Sequence, residues 1–307
     1  MTASTPLAQR LRTVQLVPIT AFDSAGDLAL EPMRRHFRRL FDAGIRVFIP
    51  CAGSAEFNSL STDEIVQVIR MTREELGPEA TIVAPIGQQL RGAISLGQRS
   101  FEAGADAVLV MPLEFPYLAN EGARDYLQAI LDSVGGPTLV YKKGPIPSDD
   151  LLLSLAEHPN MIGVKYAVND LDAFQAVVTR DAGRIDWFCG SAERFAPYFA
   201  LAGSPGYTSG AGNVCPRVTL KMHAALAAGD YAEALRWQRI LLPIEHFRAR
   251  AANSYNITFV KYAVGRTGLD FGQPRPPQRR MTDADMREAD EILAPILAAE
   301  RDLAEAS

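Results

Sequence analysis

The chain has 307 residues, 48% of them hydrophobic and 22% charged, which is enough length for one large domain or two small ones with an ample core. A net charge of −5 without a basic stripe argues against a nucleic-acid partner, and no stretch approaches the ~20 uninterrupted apolar residues of a membrane span. Three widely spaced cysteines in apolar runs (Cys51, Cys189, Cys215) fit buried thiols in a reducing compartment, and residues 1–14 lack a signal-peptide apolar core, so a cytoplasmic location is expected.

Apolar runs of strand length fall at residues 14–20, 47–51, 82–86, 107–111, 138–141, 162–165, 186–189 and 206–209. Segments of helical period lie between them, at 31–43, 63–75, 90–102, 121–133, 148–157, 171–180 and 192–202. Ala-Gly pairs (Ala43-Gly44, Ala103-Gly104, Ala202-Gly203) close three of these helices, and Thr62-Asp63-Glu64 and Ser148-Asp149-Asp150 supply helix starts. Eight β-then-α units predict a single (β/α)₈ barrel, with the barrel in residues 1–225. A doubly wound open sheet would want a glycine-rich turn after its first strand, and Thr20-Ala21-Phe22-Asp23 is not one. Beyond residue 225 the pattern turns wholly helical, at 231–250, 257–267 and 283–299 after a helix at 216–228, with a Pro/Arg-rich connector at 273–280. Residues 226–307 are therefore expected to form a helical extension packed on the barrel. Only the chain ends are plain enough to be disordered.

In such a barrel the C-terminal ends of the strands face the active-site mouth. Read in order they are Thr20, Cys51 to Glu56, Gly87, Pro112, Tyr141, Lys165, Gly190 and Ser209. Lys165 stands out because the chain hardly uses lysine: of 31 basic residues 26 are arginine, leaving Lys142, Lys143, Lys165, Lys221 and Lys261. An amine at the end of a buried strand can lose its proton and attack a carbonyl, which a guanidinium cannot. The competing reading is a lysine that snorkels at a strand end. The four histidines (His36, His158, His223, His246) fall on predicted helices or loops, none at a strand end, so neither a metal nor another cofactor is expected. His246 with Glu245 reads as a helix surface pair.

Gly53-Ser54-Ala55-Glu56-Phe57 after the second strand, Val140-Tyr141 ending the fifth and Gly163-Val164-Lys165 ending the sixth resemble the dihydrodipicolinate synthase / N-acetylneuraminate lyase family of Schiff-base-forming barrel enzymes. The resemblance covers about residues 12–300, including Phe188-Cys189-Gly190, Gly206-Tyr207-Thr208-Ser209 and the helical tail. It implies that Lys165 forms an imine with a 2-oxo acid, a small-molecule substrate, and that Tyr141 shuttles the proton. It also implies that Gly53 and Ser54 bind the carboxylate, partly through backbone N–H groups, with Ser54 in reach of Tyr141, and that Gly190, Thr208 and Ser209 line the substrate site. Glu56 reads as a residue that holds the loop. A homo-oligomer, dimer or tetramer, is implied as well.

Departures from the family pattern narrow the function. The Tyr-Asn-x-Pro turn of authentic dihydrodipicolinate synthases, with its following arginine, is replaced by Tyr141-Lys142-Lys143-Gly144-Pro145-Ile146. Their interface tyrosine has no clean counterpart, and Tyr117 could replace it only in a shifted register. Glu56-Phe57 is closer to the dehydratase members, such as 5-dehydro-4-deoxyglucarate dehydratases. Lys142 is read as a clamp for a distal substrate carboxylate, with Lys143 as the alternative because neighbouring strand residues point to opposite faces; a solvated loop charge is the other reading of both. Lys261, in a second Val-Lys-Tyr-Ala, reads as a helix-face residue. The function expected is a lyase that removes water or an aldehyde from a deoxy sugar acid. Its rivals are a pyruvate–aldehyde condensation and a non-catalytic 2-oxo acid binder.

Overall fold

The computed structural model describes residues 6–306. Eight parallel strands form a closed barrel in chain order: β1 (Val14–Leu16), β2 (Val47–Phe48), β3 (Thr81–Ile86), β4 (Ala107–Val110), β5 (Thr138–Lys142), β6 (Met161–Tyr166), β7 (Asp186–Cys189) and β8 (Tyr207–Ser209). Closure comes from β1 pairing with β8 through Val14–Tyr207, Gln15–Thr208 and Leu16–Ser209. Strands wedged between a filled interior and a ring of helices are buried on both faces, which is why β3 and β4 read as continuous apolar runs. Two expected strands end early. Pro18 and Pro50 cannot donate to a ladder, so β1 and β2 stop before them, and Cys51 turns the chain at φ 62°.

The helices start where the side chains can cap them. Ser61 and Glu64 form a reciprocal capping box at the head of Thr62–Leu76, and the Ser148 hydroxyl accepts the Leu151 N–H at the head of Asp149–Leu155. Gly44 and Gly104 follow their helices at φ 108° and 103°, the left-handed stop anticipated for the Ala-Gly pairs.

Pro216–Ala227 follows β8, and the chain continues as Tyr231–Arg248, Arg250–Asn253, Asn256–Gly265 and Asp283–Glu305. Leu241, Ile244, Phe247, Phe259, Leu293 and Ile296 from these helices join the buried core of the barrel. The helix expected to reach residue 250 ends at Arg248, and Ala251, Ala252 and Asn253 then take positive φ. A short helix, Leu7–Leu11, precedes β1 with Leu11 buried, and the last helix runs on to Glu305, so both segments are ordered where disorder was expected. Residues 1–5 and 307, the rest of that expectation, lie outside the described residues.

Candidate active site

The C-terminal ends of the strands open into a cavity of about 910 Å³ lined by Gly53, Ser54, Tyr141, Lys165, Gly190, Thr208 and Ser209 together with residues of the C-terminal helices. Seven of the eight residues expected at the site are thus brought together. Tyr141 and Lys165 are register partners on β5 and β6. The Lys165 Nζ lies over the Tyr141 ring, 4.1 Å from its centroid. Burial lowers the Lys165 pKa to about 7. Repulsion from Lys143 and Arg248 acts in the same direction, and a Cys189 thiolate would act against it. Cys189 is itself pushed up to about 12 by burial, so it stays a neutral thiol and Lys165 keeps the low value. Burial also pushes the Tyr141 phenol up to about 12, which keeps it protonated and able to donate. Gly190 passes against this pair: a β-carbon there would lie 3.0 Å from Lys165 Cγ and 2.9 Å from Ala167 Cβ.

On the β2 side, Gly53–Ala55 forms a single 3₁₀ turn whose first N–H groups have no intrahelical acceptor. A β-carbon at Gly53 would meet only Met111 Cε, at 3.8 Å, so the wall is open there. Among the described residues Ser54 makes no hydrogen bond to Tyr141, whose ring lies flat beneath the amine instead. The turn is held from behind. Glu56, at φ 69° and buried, pairs with Lys261 at 2.7 Å and accepts the Arg275 N–H at 2.9 Å. Arg275 also donates to the carbonyls of Gly26 and Ser59 and to Glu64. Lys261 is therefore no helix-face residue. It is buried because the helix Asn256–Gly265 packs on the turn, and Glu56 is its counter-charge.

On the β8 side the Thr208 hydroxyl points to the Cys189 carbonyl at 3.5 Å. The Ser209 hydroxyl donates to Glu193 Oε1, which also accepts from Thr219 Oγ1 at 3.0 Å. Burial and the nearby Glu245 push Glu193 up to about 7. Glu245 is buried and ion-paired with Arg248 while His246 is exposed, so the expected Glu245–His246 surface pair does not form. Sequence reasoning passed over Glu193, Arg248 and Asn256 and placed Glu245 on the surface. Only the i, i+3 spacing of Glu245 and Arg248 on a long helix hinted at a pair.

Lys142 is the site residue that the structure turns away. Its Nζ is buried behind the strand, donating to the carbonyls of Pro147 at 2.7 Å and Gly144 at 3.1 Å and lying 3.4 Å from Asp149. Strand alternation sends Lys143 to the cavity instead, where it is exposed and 3.9 Å from Glu114. Tyr117 stands fully exposed at φ 63° and does not line the cavity of its own barrel. His36 is buried against Asn213 Oδ1 at 3.1 Å, and burial lowers its pKa to about 3, so it is a neutral core group. Among the described residues no group of three or more His, Cys, Asp or Glu side chains is placed to hold a metal ion, and none of their helices is long and apolar enough to cross a membrane.

The model of the dihydrodipicolinate synthetase family matches residues 10–296. A protein of Streptomyces griseus named as a probable 5-dehydro-4-deoxyglucarate dehydratase is 31% identical over 307 residues, spanning 95% of this chain and 94% of that one. The dihydrodipicolinate synthase of Bacillus clausii has a solved structure that matches with a TM-score of 0.91 at 35% identity, covering 94% of this chain and 99% of that one. A catalytic lysine mutant of the Ruminococcus gnavus sialic acid aldolase matches with a TM-score of 0.88 at 18% identity, covering 97% and 99%, which shows the common fold.

Proposed function

The chain belongs to the dihydrodipicolinate synthetase family, and from that premise we propose that it is a Schiff-base lyase that dehydrates a 2-oxo-3-deoxy sugar acid on Lys165. The observation that carries the reading is the buried Lys165 amine, with its pKa lowered to about 7, against the face of Tyr141. Near neutrality half of that amine is free base, compared with a few parts in ten thousand for a solvated lysine. In this scheme Nζ adds to the keto carbon and the carbinolamine loses its oxygen as water, with Tyr141 donating the proton and later retrieving one. The iminium acidifies C3. Loss of that proton gives an enamine, the C4 hydroxyl leaves as water, and hydrolysis of the imine restores the amine. The free N–H groups opening the Gly53–Ala55 turn receive the 2-oxo acid carboxylate.

Dehydration is favoured over pyruvate condensation by Glu56-Phe57 after β2 and by the β5 loop, where Ile146 stands in place of an arginine and Lys142 is turned away. Cleavage of a carbon–carbon bond would begin at the same imine and is told apart by its products. The test is sodium borohydride trapping with a panel of 2-oxo acids, read by intact mass, alongside product analysis. An adduct on Lys165 that disappears in Lys165→Arg, with water loss from a 2-oxo-3-deoxy sugar acid, is the expected result. Wild-type turnover in Lys165→Arg rules out covalent catalysis. A homo-oligomer in the cytoplasm completes the proposal, and light scattering at micromolar concentration tests the assembly.

A further inference from the structure

Arg248 belongs to the C-terminal helix Tyr231–Arg248, yet its guanidinium sits in the barrel mouth. A β-carbon built on Gly210, the residue after β8, would fall 2.2 Å from Arg248 Nη2 and 2.5 Å from both Cζ and Nη1. The guanidinium therefore rests on the bare backbone of Gly210, in space that any side chain would fill. The residue is 7% exposed and lines the same cavity as Lys165.

Its hold is rigid and incomplete. Nε and Nη2 donate to Asn256 Oδ1 at 2.9 and 2.6 Å, and Nη1 donates to Glu245 Oε1. A guanidinium has five N–H bonds, so one on each terminal nitrogen is left without a partner among the described residues. All three groups come from the C-terminal helices and the turn between them, so these bonds do not tie the helices to the barrel. Against the barrel the guanidinium meets a glycine and the cavity. Two fixed N–H donors on neighbouring nitrogens match the spacing of a carboxylate, a geometry that a lysine does not offer.

Resting on the imine reading above, we propose that Arg248 is a specificity-determining residue that receives a second carboxylate, at the end of the substrate remote from the imine. Glu245 and Asn256 position the guanidinium, and Gly210 leaves it room. Lys142, the residue anticipated for this task, is committed to the loop after β5.

The test compares two six-carbon 2-oxo acids of equal length: 2-oxoadipate with two carboxylates and 2-oxohexanoate with one. The half-saturating concentration for borohydride trapping on Lys165 is measured for each. Wild-type protein is expected to trap 2-oxoadipate at roughly 10- to 100-fold lower concentration, the scale of a charge-assisted bidentate contact. Arg248→Gln removes the preference, and Arg248→Lys, which keeps the charge and loses the fork, restores a minor part of it. Gly210→Ala removes it too while leaving Arg248 and its partners in the chain, so the result does not depend on how one Arg248 variant folds. Equal half-saturation in wild type, or a preference that survives in both Arg248→Gln and Gly210→Ala, overturns the proposal and leaves the imine reading standing. No adduct with either acid, or with pyruvate, overturns both.

Discussion

Replacing Lys165 by methionine should stabilise the protein while abolishing turnover, and the gain should depend on pH. Burial lowers the Lys165 pKa from 10.5 to about 7, and one unit is worth about 1.4 kcal/mol, so a charged amine in the folded site costs about 5 kcal/mol. The unfolded chain keeps this proton up to pH 10.5, whereas the folded chain releases it near 7. Between those values the unfolded state binds more protons, so the lysine's penalty on stability is greatest at and below neutrality and fades as pH rises. Half-protonation at pH 7 brings the penalty to about 4 kcal/mol there; at pH 9 about 2 kcal/mol is left, and at pH 10.5 less than about 0.5 kcal/mol. Methionine has a similar reach and no charge to desolvate, so Lys165→Met should gain up to about 4 kcal/mol at pH 7, shrinking by about 1 kcal/mol per pH unit between pH 7 and 9. Urea unfolding of both proteins at pH 7, 8 and 9 measures this directly. Equal stability at pH 7, or a gain that does not shrink with pH, would show that the amine is not desolvated and would remove the basis for its nucleophilicity.

The same proton sets the wild-type rate: imine formation, followed by borohydride trapping at limiting time, should rise with pH through about 7 and level off above it. A profile still climbing at pH 9 would mean a lysine with an ordinary pKa. Tyr141→Phe should slow turnover by ~10²–10⁴-fold while imine trapping stays detectable, and an unchanged kcat would take the phenol out of the mechanism. Gly190→Ala places a methyl 3.0 Å from both Lys165 Cγ and the Tyr166 carbonyl oxygen, so the strand end must shift and kcat at saturation should fall about 10²-fold; wild-type kcat would show that the amine tolerates displacement. Lys261→Met strands the buried Glu56 carboxylate and should cost about 3–5 kcal/mol in urea unfolding, part of it recovered by adding Glu56→Gln, and no loss would show that the pair is solvated.

The barrel was legible because each unit repeats one pattern, a short apolar run followed by an amphipathic helix ended by a turn residue. The errors fall where side chains meet across the chain. Lys142 and Lys143 are adjacent in sequence, and alternation predicts that only one reaches the mouth; which one depends on the path of the loop to Pro147, whose carbonyl captures Lys142. Lys261 has the surroundings of an ordinary helix lysine until Glu56, more than two hundred positions earlier, is brought to 2.7 Å from it. Glu245 and Arg248 lie on a helix whose charged residues are otherwise mostly solvated, and only the docking of that helix over Gly210 buries them. Pairings of this kind carry no local signal, since neither partner alters the periodicity of its own segment.

These long-range pairings divide the work of the site. Lys165 and Tyr141 sit on adjacent strands deep in the barrel, where the register fixes them side by side. The groups at the two flanks of β1 are controlled from the C-terminal helices instead. Lys261 and Arg275 hold the turn after β2 through Glu56, and Arg248 lies over the end of β8. A substitution in the tail can therefore alter what the mouth accepts without moving the amine or the phenol, because no tail residue hydrogen-bonds either of them among the described residues. On the proposed reading, the barrel strands carry the amine and phenol that form the imine, and the helices packed on them act mainly on which 2-oxo acid the mouth accepts.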